Sequence, residues 1–537
     1  MQIRRALAVS VTLGALAATG GCSGDDSDAS NAELRIAIVG DPVSLDPGLA
    51  TDLFSGNVIF NLMDPLVRLN DDLKPEPALA ESWKLSDGDK TVTFRLRDDG
   101  RWTNGDPVTA TDFEYAWKRI LDPKLAASYA YQLYGIVGAA KYNSCESGCG
   151  QLRDQVGVEA LDGRTLQVRL TSPQPWFLAQ VAHASFLPVH RATVERFGRM
   201  WTEPANIVTN GPYRLTDWKH DESITLTKWA QWRGAGAVRI ERFVGRIIKD
   251  AATALTAFEA DELDACLAAC TPPGDIERLQ KSDAYVQSPG LGTRYLALNL
   301  ETLPDLNQRR ALAFALDRTT LVENVTRAGE RPASSVTPEG MPGFDEIEQG
   351  FLPTEADVEA ARRYLDRARS PKGTLNLLYW TSDPSGGPQT AIAVQAMWKK
   401  LGLRTRVRGL DFQEFLALSG PPMDASVDVV STGWIGDFAD DINFLELFTC
   451  KSGNNPNGYC DAAYDRLIER ARSTPDDADR HQIYAQAEAM LTGPSGALPV
   501  IPTFWATFPT MRKPGIEGWR PNLLGQYDFT AVSVAER

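Results

Sequence analysis

At three places along the chain, apolar and polar residues alternate with the two-residue period of a half-buried strand. Val92, Phe94 and Leu96 alternate with Thr91, Thr93 and Arg95, and Asp-Asp-Gly at 98–100 closes that strand with a turn. Leu166, Val168 and Leu170 repeat the pattern after Asp162 and Gly163, and Ile224 with Leu226 repeats it again. Elsewhere the period is helical. Tyr464, Leu467, Ile468 and Ala471 fall at i, i+3, i+4 and i+7 and share one face. Ala311, Leu312, Ala315 and Leu316 predict another helix over residues 307–318. Val427, Val429 and Val430 read as a buried strand, after which Gly433 is expected to open a loop carrying Asp437, Asp440 and Asp441. Gly211 and Pro212 predict a turn ahead of a further strand. Strands and helices mix without a strict repeat, so the fold class is mixed α/β.

At 537 residues the chain exceeds one ordinary core and predicts two or three domains. Arg4 and Arg5 precede an apolar run from Ala6 to Ala18, which is shorter than the roughly 20 residues of a membrane span. Gly20, Gly21 and Cys22 follow, then a small polar stretch. This layout predicts a signal peptide over 1–21, a lipid-modified Cys22 that anchors the mature chain to the outer face of the cell membrane, and a tether over 22–33. Thr19 departs from the usual lipobox, which places Leu there; the plainer reading is a secretory signal cleaved beside a cysteine. The other cysteines form three close pairs, Cys145 with Cys149, Cys266 with Cys270 and Cys450 with Cys460, and in an exported chain these predict local disulfides. Only four histidines occur, none beside a cysteine pair, so no metal site is predicted. The net charge of −15 argues against a nucleic-acid partner. No Gly-x-Ser-x-Gly elbow, His-Glu-x-x-His or phosphate-binding Gly-x-x-x-x-Gly-Lys is present, and no cofactor is expected. A carboxylate-pair hydrolase stays open, because such a pair carries no fixed sequence signature.

Residues 75–83 read Pro-Glu-Pro-Ala-Leu-Ala-Glu-Ser-Trp, 91–97 read Thr-Val-Thr-Phe-Arg-Leu-Arg, and 101–113 read Arg-Trp-Thr-Asn-Gly-Asp-Pro-Val-Thr-Ala-Thr-Asp-Phe. This stretch resembles the oligopeptide-binding family of extracytoplasmic solute receptors that serve ABC importers. The resemblance extends from about Leu34 to about Pro521. It implies a two-lobed periplasmic-binding-protein-like fold with a small inserted domain. Lobe I would take 34–76, 196–293 and 501–537, the inserted domain 77–195, and lobe II 294–500. The chain would cross between lobes near 290–293 and again near 499–503. It also implies a monomeric, non-enzymatic receptor whose partners are a peptide or peptide-like ligand and an ABC permease. The same fold reading an oligosaccharide, a metal chelate or a lipid headgroup is the second expectation, and a secreted carboxylate hydrolase the third.

Residues 427–448 resemble the family's ligand loop. Asp437 alone reads as an Asp capping its own loop; the resemblance assigns it to the ligand's α-ammonium. Trp434 is implied as a pocket wall, or is core packing. Gly433 and Ile435 from one lobe and Leu53, Phe54 and Ser55 from the other are implied as strand-like backbone partners. Tyr129 and Phe412 match further pocket positions, or are core. Asp440 and Asp441 are expected to be solvated or to cap a helix. The chain departs from the family where receptors for short peptides place cations for the ligand's carboxylate: Thr326, Ser431 and residues 383–388 contain none. Two expectations follow. Either the ligand buries no carboxylate there, or water and backbone donors serve it.

Overall fold

The computed structural model describes residues 32–267 and 269–535. The alternating segments form strands that bury their apolar residues. Thr91–Leu96 and Thr165–Arg169 pair antiparallel within a four-stranded sheet ordered Ala80–Ser86, Thr91–Leu96, Thr165–Arg169, Val158–Asp162. Val92, Phe94, Leu166 and Val168 are fully buried in it. A five-stranded sheet lies beside this one, ordered Ala265–Leu267, Glu33–Ile38, Arg242–Ile247, Ser223–Lys228, Tyr213–Lys219. Its first three strands run parallel, and its last two continue antiparallel. Tyr213–Lys219 begins directly after Gly211 and Pro212, as their turn requires. One continuous apolar core joins the two sheets, and together they make the first body of the molecule.

The second body is built on a six-stranded mixed sheet, ordered Arg331–Pro332, Val500–Met511, Tyr285–Leu298, Val429–Ile435, Thr374–Trp380, Arg404–Leu410. Both faces are covered. Leu296, Leu298, Leu377 and Val429 enter one core, whereas Tyr295, Ala297, Leu378 and Val430 enter the other. That division is the two-residue period of a strand applied to a sheet buried on both sides, and it explains why Val429 and Val430 are consecutive and both apolar.

Two long antiparallel strands link the bodies. Tyr285–Leu298 and Val500–Met511 pair from Tyr285 opposite Met511 to Ala297 opposite Val500. Their outer ends touch the five-stranded sheet, through a bridge between Ala265 and Arg512, and their inner ends belong to the six-stranded sheet. The register shifts between Pro289 and Thr293, where the partner residues are Thr507 and Trp505.

The helices follow the predicted faces with one correction. Ala462–Arg472 buries Tyr464, Ile468 and Ala471, and Asp461 caps its start. The helix expected over 307–318 spans only Leu306–Phe314. Asp317 takes an extended backbone, and its carboxylate accepts the Thr320 N–H at 2.8 Å, starting a new turn. Arg318 is fully buried there, is paired with no carboxylate among the described residues, and donates instead to the carbonyls of Pro353 at 2.7 Å and Pro502 at 2.8 Å. The signal-peptide residues, Cys22 and nearly all of the tether lie outside the described residues. Among the described residues no helix is long and apolar enough to cross a membrane. Each of the three cysteine pairs lies at bonding distance, with Cα separations of 5.7 Å for Cys145 and Cys149, 5.8 Å for Cys266 and Cys270, and 4.5 Å for Cys450 and Cys460.

Candidate functional site

The strand Val429–Ile435 delivers the residues of interest to the junction between the bodies. Gly433 does not open a loop, as its sequence context predicted. It lies inside the strand, opposite Arg294. A Cβ at this position would stand 2.7 Å from the Thr293 carbonyl and 2.8 Å from Arg294 Cδ, so glycine is what lets the strand continue past the arginine. One edge of the strand pairs along its whole length with Tyr285–Leu298. The other pairs with Thr374–Trp380 only at Val429 and Val430. From Ser431 to Ile435, through Gly433 and Ile435, that second edge carries no strand partner among the described residues. An unpaired edge of this kind is a template for an added extended chain.

Asp437 follows two residues after this edge and is 8% exposed. It does not cap its own loop. Its Oδ2 accepts from Gln132 Nε2 at 2.6 Å and Asn443 Nδ2 at 3.0 Å, and its Oδ1 lies 3.2 Å from His183 Nε2 and 3.4 Å from the Tyr129 hydroxyl. Gln132, Tyr129 and His183 all come from the first body. Asn443 also accepts the Asp437 N–H at 2.9 Å and the Trp434 indole N–H at 3.1 Å, which fixes both residues. His183 accepts the Ser185 N–H on Nδ1, which leaves its proton on Nε2, facing the carboxylate. Burial first, and then the Asp437 charge, push the Tyr129 phenol well up, so it remains a donor. The carboxylate is therefore buried among neutral donors, with no lysine or arginine bonded to it among the described residues. A buried anion of this kind is costly until a cation joins it.

Aromatic rings wall the same junction. Tyr129 lies 5.9 Å from Trp434 and 6.0 Å from Tyr131. Phe54 of the first body meets Phe412 at 5.3 Å and Trp380 at 6.2 Å, both from the second. Leu53, Phe54 and Ser55, implied as backbone partners of a ligand, lie in a helix and not in a strand. They form the first turn of the helix Leu53–Leu62, where the Ser55 N–H is spent on its cap Asp52 at 2.7 Å and Ser55 Oγ accepts from Val43. Phe54 offers a ring to this junction, and Ser55 is fully buried.

Asp440 and Asp441 are buried, not solvated. Asp440 accepts from the Ile442 N–H at 3.1 Å and Tyr484 at 2.8 Å and faces Arg480 at 3.5 Å. Asp441 accepts the Gly343 N–H at 3.1 Å, leaves Oδ2 without a partner, and is pushed up to about 7 by burial. Sequence reasoning missed Gln132, His183, Asn443, Trp380 and Arg294. Gln132 is three residues beyond Tyr129 and Asn443 six beyond Asp437, so both were within reach of the motif; nothing local marks His183 or Arg294.

The profile of the bacterial extracellular solute-binding proteins, family 5 Middle, matches residues 74–456. The oligopeptide-binding protein OppA of Bacillus subtilis is 35% identical over 501 residues, covering 90% of this chain and 89% of that protein. Among solved structures, the murein tripeptide binding protein MppA of Escherichia coli superposes with a TM-score of 0.88 at 29% identity, covering 94% of this chain and 99% of the other. OppA of Haemophilus influenzae in complex with the peptide RPPGFSPFR superposes with a TM-score of 0.87 at 27% identity, covering 94% of this chain and 99% of the other. The unliganded open form of MppA, at the same 29% identity and 94% coverage of this chain, reaches only 0.66. Equal sequence and near-equal coverage leave the setting of the two bodies as the difference, and this chain does not share the open one. Fold, match and extent agree: the chain belongs to family 5 of the bacterial extracellular solute-binding proteins.

Proposed function

We propose that this protein is an extracytoplasmic receptor that captures oligopeptides or peptide-like solutes between its two lobes and presents them to an ABC permease. The observation that carries this reading is Asp437, a buried carboxylate ringed by neutral donors beside an unpaired strand edge. In this reading a ligand's α-ammonium supplies the missing cation and sets the register. The ligand backbone adds to the free edge through Gly433 and Ile435, which reads the feature common to all peptides. Tyr129, Trp434, Phe54, Phe412 and Trp380 form side-chain walls. From the other lobe, Leu53 and Phe54 offer the ligand the backbone N–H groups of their helix's first turn, with Ser55 beside them bonded to Asp52.

Lobe I comprises 34–76, 196–293 and 501–537, the inserted domain 77–195, and lobe II 294–500. Closure is a hinge motion at the two long strands, and the ligand must favour the closed state for it to signal occupancy. The receptor works as a monomer, held at the outer face of the membrane by acylated Cys22, with its three cysteine pairs oxidised and no catalytic step.

Calorimetric titration with a mixed library of tripeptides, longer peptides and their C-terminal amides, followed by chromatography of the recovered ligand, tests the reading. Saturable binding at one peptide per chain with intact peptides recovered is expected. Hydrolysed peptide would replace the receptor reading with the hydrolase, and no heat with any peptide would favour a non-peptide solute.

A further inference from the structure

Arg294 is the cation that sequence matching did not reach. It stands on Tyr285–Leu298 opposite Gly433, and the glycine leaves room for its side chain to lie across the strand. Its guanidinium is bonded to Asp383, and the two side chains are 16% and 3% exposed. Asp383 follows the cleft-lining Trp380 by three residues, and its N–H donates to the Trp380 carbonyl. Its second oxygen accepts the Ser385 N–H at 3.0 Å, so the carboxylate is held by its own loop as well as by the arginine. The neighbouring ground is acidic too. Thr326, against which Gly386 packs, donates its hydroxyl to the buried carboxyl of Glu330 at 3.0 Å, and that carboxyl also accepts the Ala328 N–H at 2.9 Å.

Resting on the peptide-receptor reading, we infer that Asp383 occupies Arg294 in place of a ligand carboxylate, so that this end of the cleft selects ligands bringing no negative charge to it: a longer peptide running out of the cleft, or one whose C-terminus is amidated or cyclised. A tripeptide carboxylate placed here would face Asp383 and Glu330, with Arg294 already paired to Asp383. Arg294 and Asp383 thus set specificity as a pair, and each single substitution shifts it in a predictable direction. Loss of the aspartate frees the arginine to receive a carboxylate. Loss of the arginine leaves the aspartate to repel one.

The test is a comparison of trialanine with trialanine amide by calorimetry, on the full receptor and two variants. The wild-type protein is expected to bind the amide at least as tightly as the acid. Asp383→Asn is expected to prefer the acid by about tenfold, the equivalent of roughly 1.4 kcal/mol. Arg294→Gln is expected to move the ratio the other way, and it carries the test alone if the first variant does not fold. A wild-type preference for the acid of tenfold or more overturns the inference, as does an unchanged acid-to-amide ratio in either folded variant. Binding with an unchanged ratio removes this inference alone. Absence of binding of trialanine, its amide and longer alanine peptides by all three proteins removes the peptide-receptor reading, and the inference with it.

Discussion

Replacing Asp437 by Ala isolates the interaction on which the site depends. With the two bodies together the carboxylate is surrounded by Gln132, Asn443, Tyr129 and His183, all neutral donors, and it is 8% exposed. Removing it therefore relieves a buried charge even as it frees four donors, and the unfolding temperature is expected to change little. The bound state differs. A ligand ammonium buried against the site would lose its only counter-charge, at a cost of about 3–5 kcal/mol. That corresponds to roughly 150- to 5,000-fold in affinity. The assay is calorimetry with one peptide carrying a free α-amine and the same peptide N-acetylated. Wild-type protein should lose a comparable factor on acetylation, whereas the Ala variant should bind both forms with similar weak affinity, because amine and carboxylate act on each other. A variant that still distinguishes the two forms as strongly as the wild type would refute the ammonium role of Asp437.

Gly433→Val sets a Cβ against the Thr293 carbonyl and Arg294 Cδ, so it should lower stability by about 1–3 kcal/mol and weaken ligand binding with it; denaturant unfolding checks the first, and an unchanged midpoint counts against the close packing. Phe54→Ala removes two aromatic pairs that exist only with the bodies together, worth about 0.5–1.5 kcal/mol each. Ligand affinity should fall by about 5- to 150-fold, read by calorimetry, with the far-ultraviolet circular dichroism unchanged. Burial raises Asp52 to about 6 and Asp441 and Glu446 to about 7. Each binds its proton more tightly folded than unfolded, so the stability it contributes is present below the unfolded pKa and is lost as pH rises through the folded one. The unfolding temperature of the ligand-free protein should fall between about pH 5 and 7.5, and a rise across that window contradicts the assignment.

Local pattern made the fold legible where one period was enough. Val92, Phe94, Leu166 and Val168 declared their strands because burial on one face of a sheet enforces alternation. Tyr464, Ile468 and Ala471 declared a helix for the corresponding reason. The misreadings have local physical causes as well. Asp317 carries the same capping chemistry as Asp461, but it sits inside an apolar helical pattern and there ends one helix and begins another turn. Gly433 reads as a turn residue, but what demands it is the side chain on the neighbouring strand. At the junction of the bodies, the residues legible in the sequence were those of the family motifs, Asp437, Trp434, Gly433, Ile435, Tyr129, Phe54 and Phe412. What makes Asp437 distinctive is the company of Gln132 and His183, which are hundreds of residues distant in the chain. The engagement of Arg294 by Asp383 is non-local in the same way. No window of sequence contains these pairs.

Native mass spectrometry of the mature chain purified from an exporting host, followed by denaturing release of whatever it holds, shows whether the protein carries peptides. A set of peptides of varied side chains, each with a free α-amine, is expected. A single non-peptide solute released at one per chain would contradict the peptide-receptor reading.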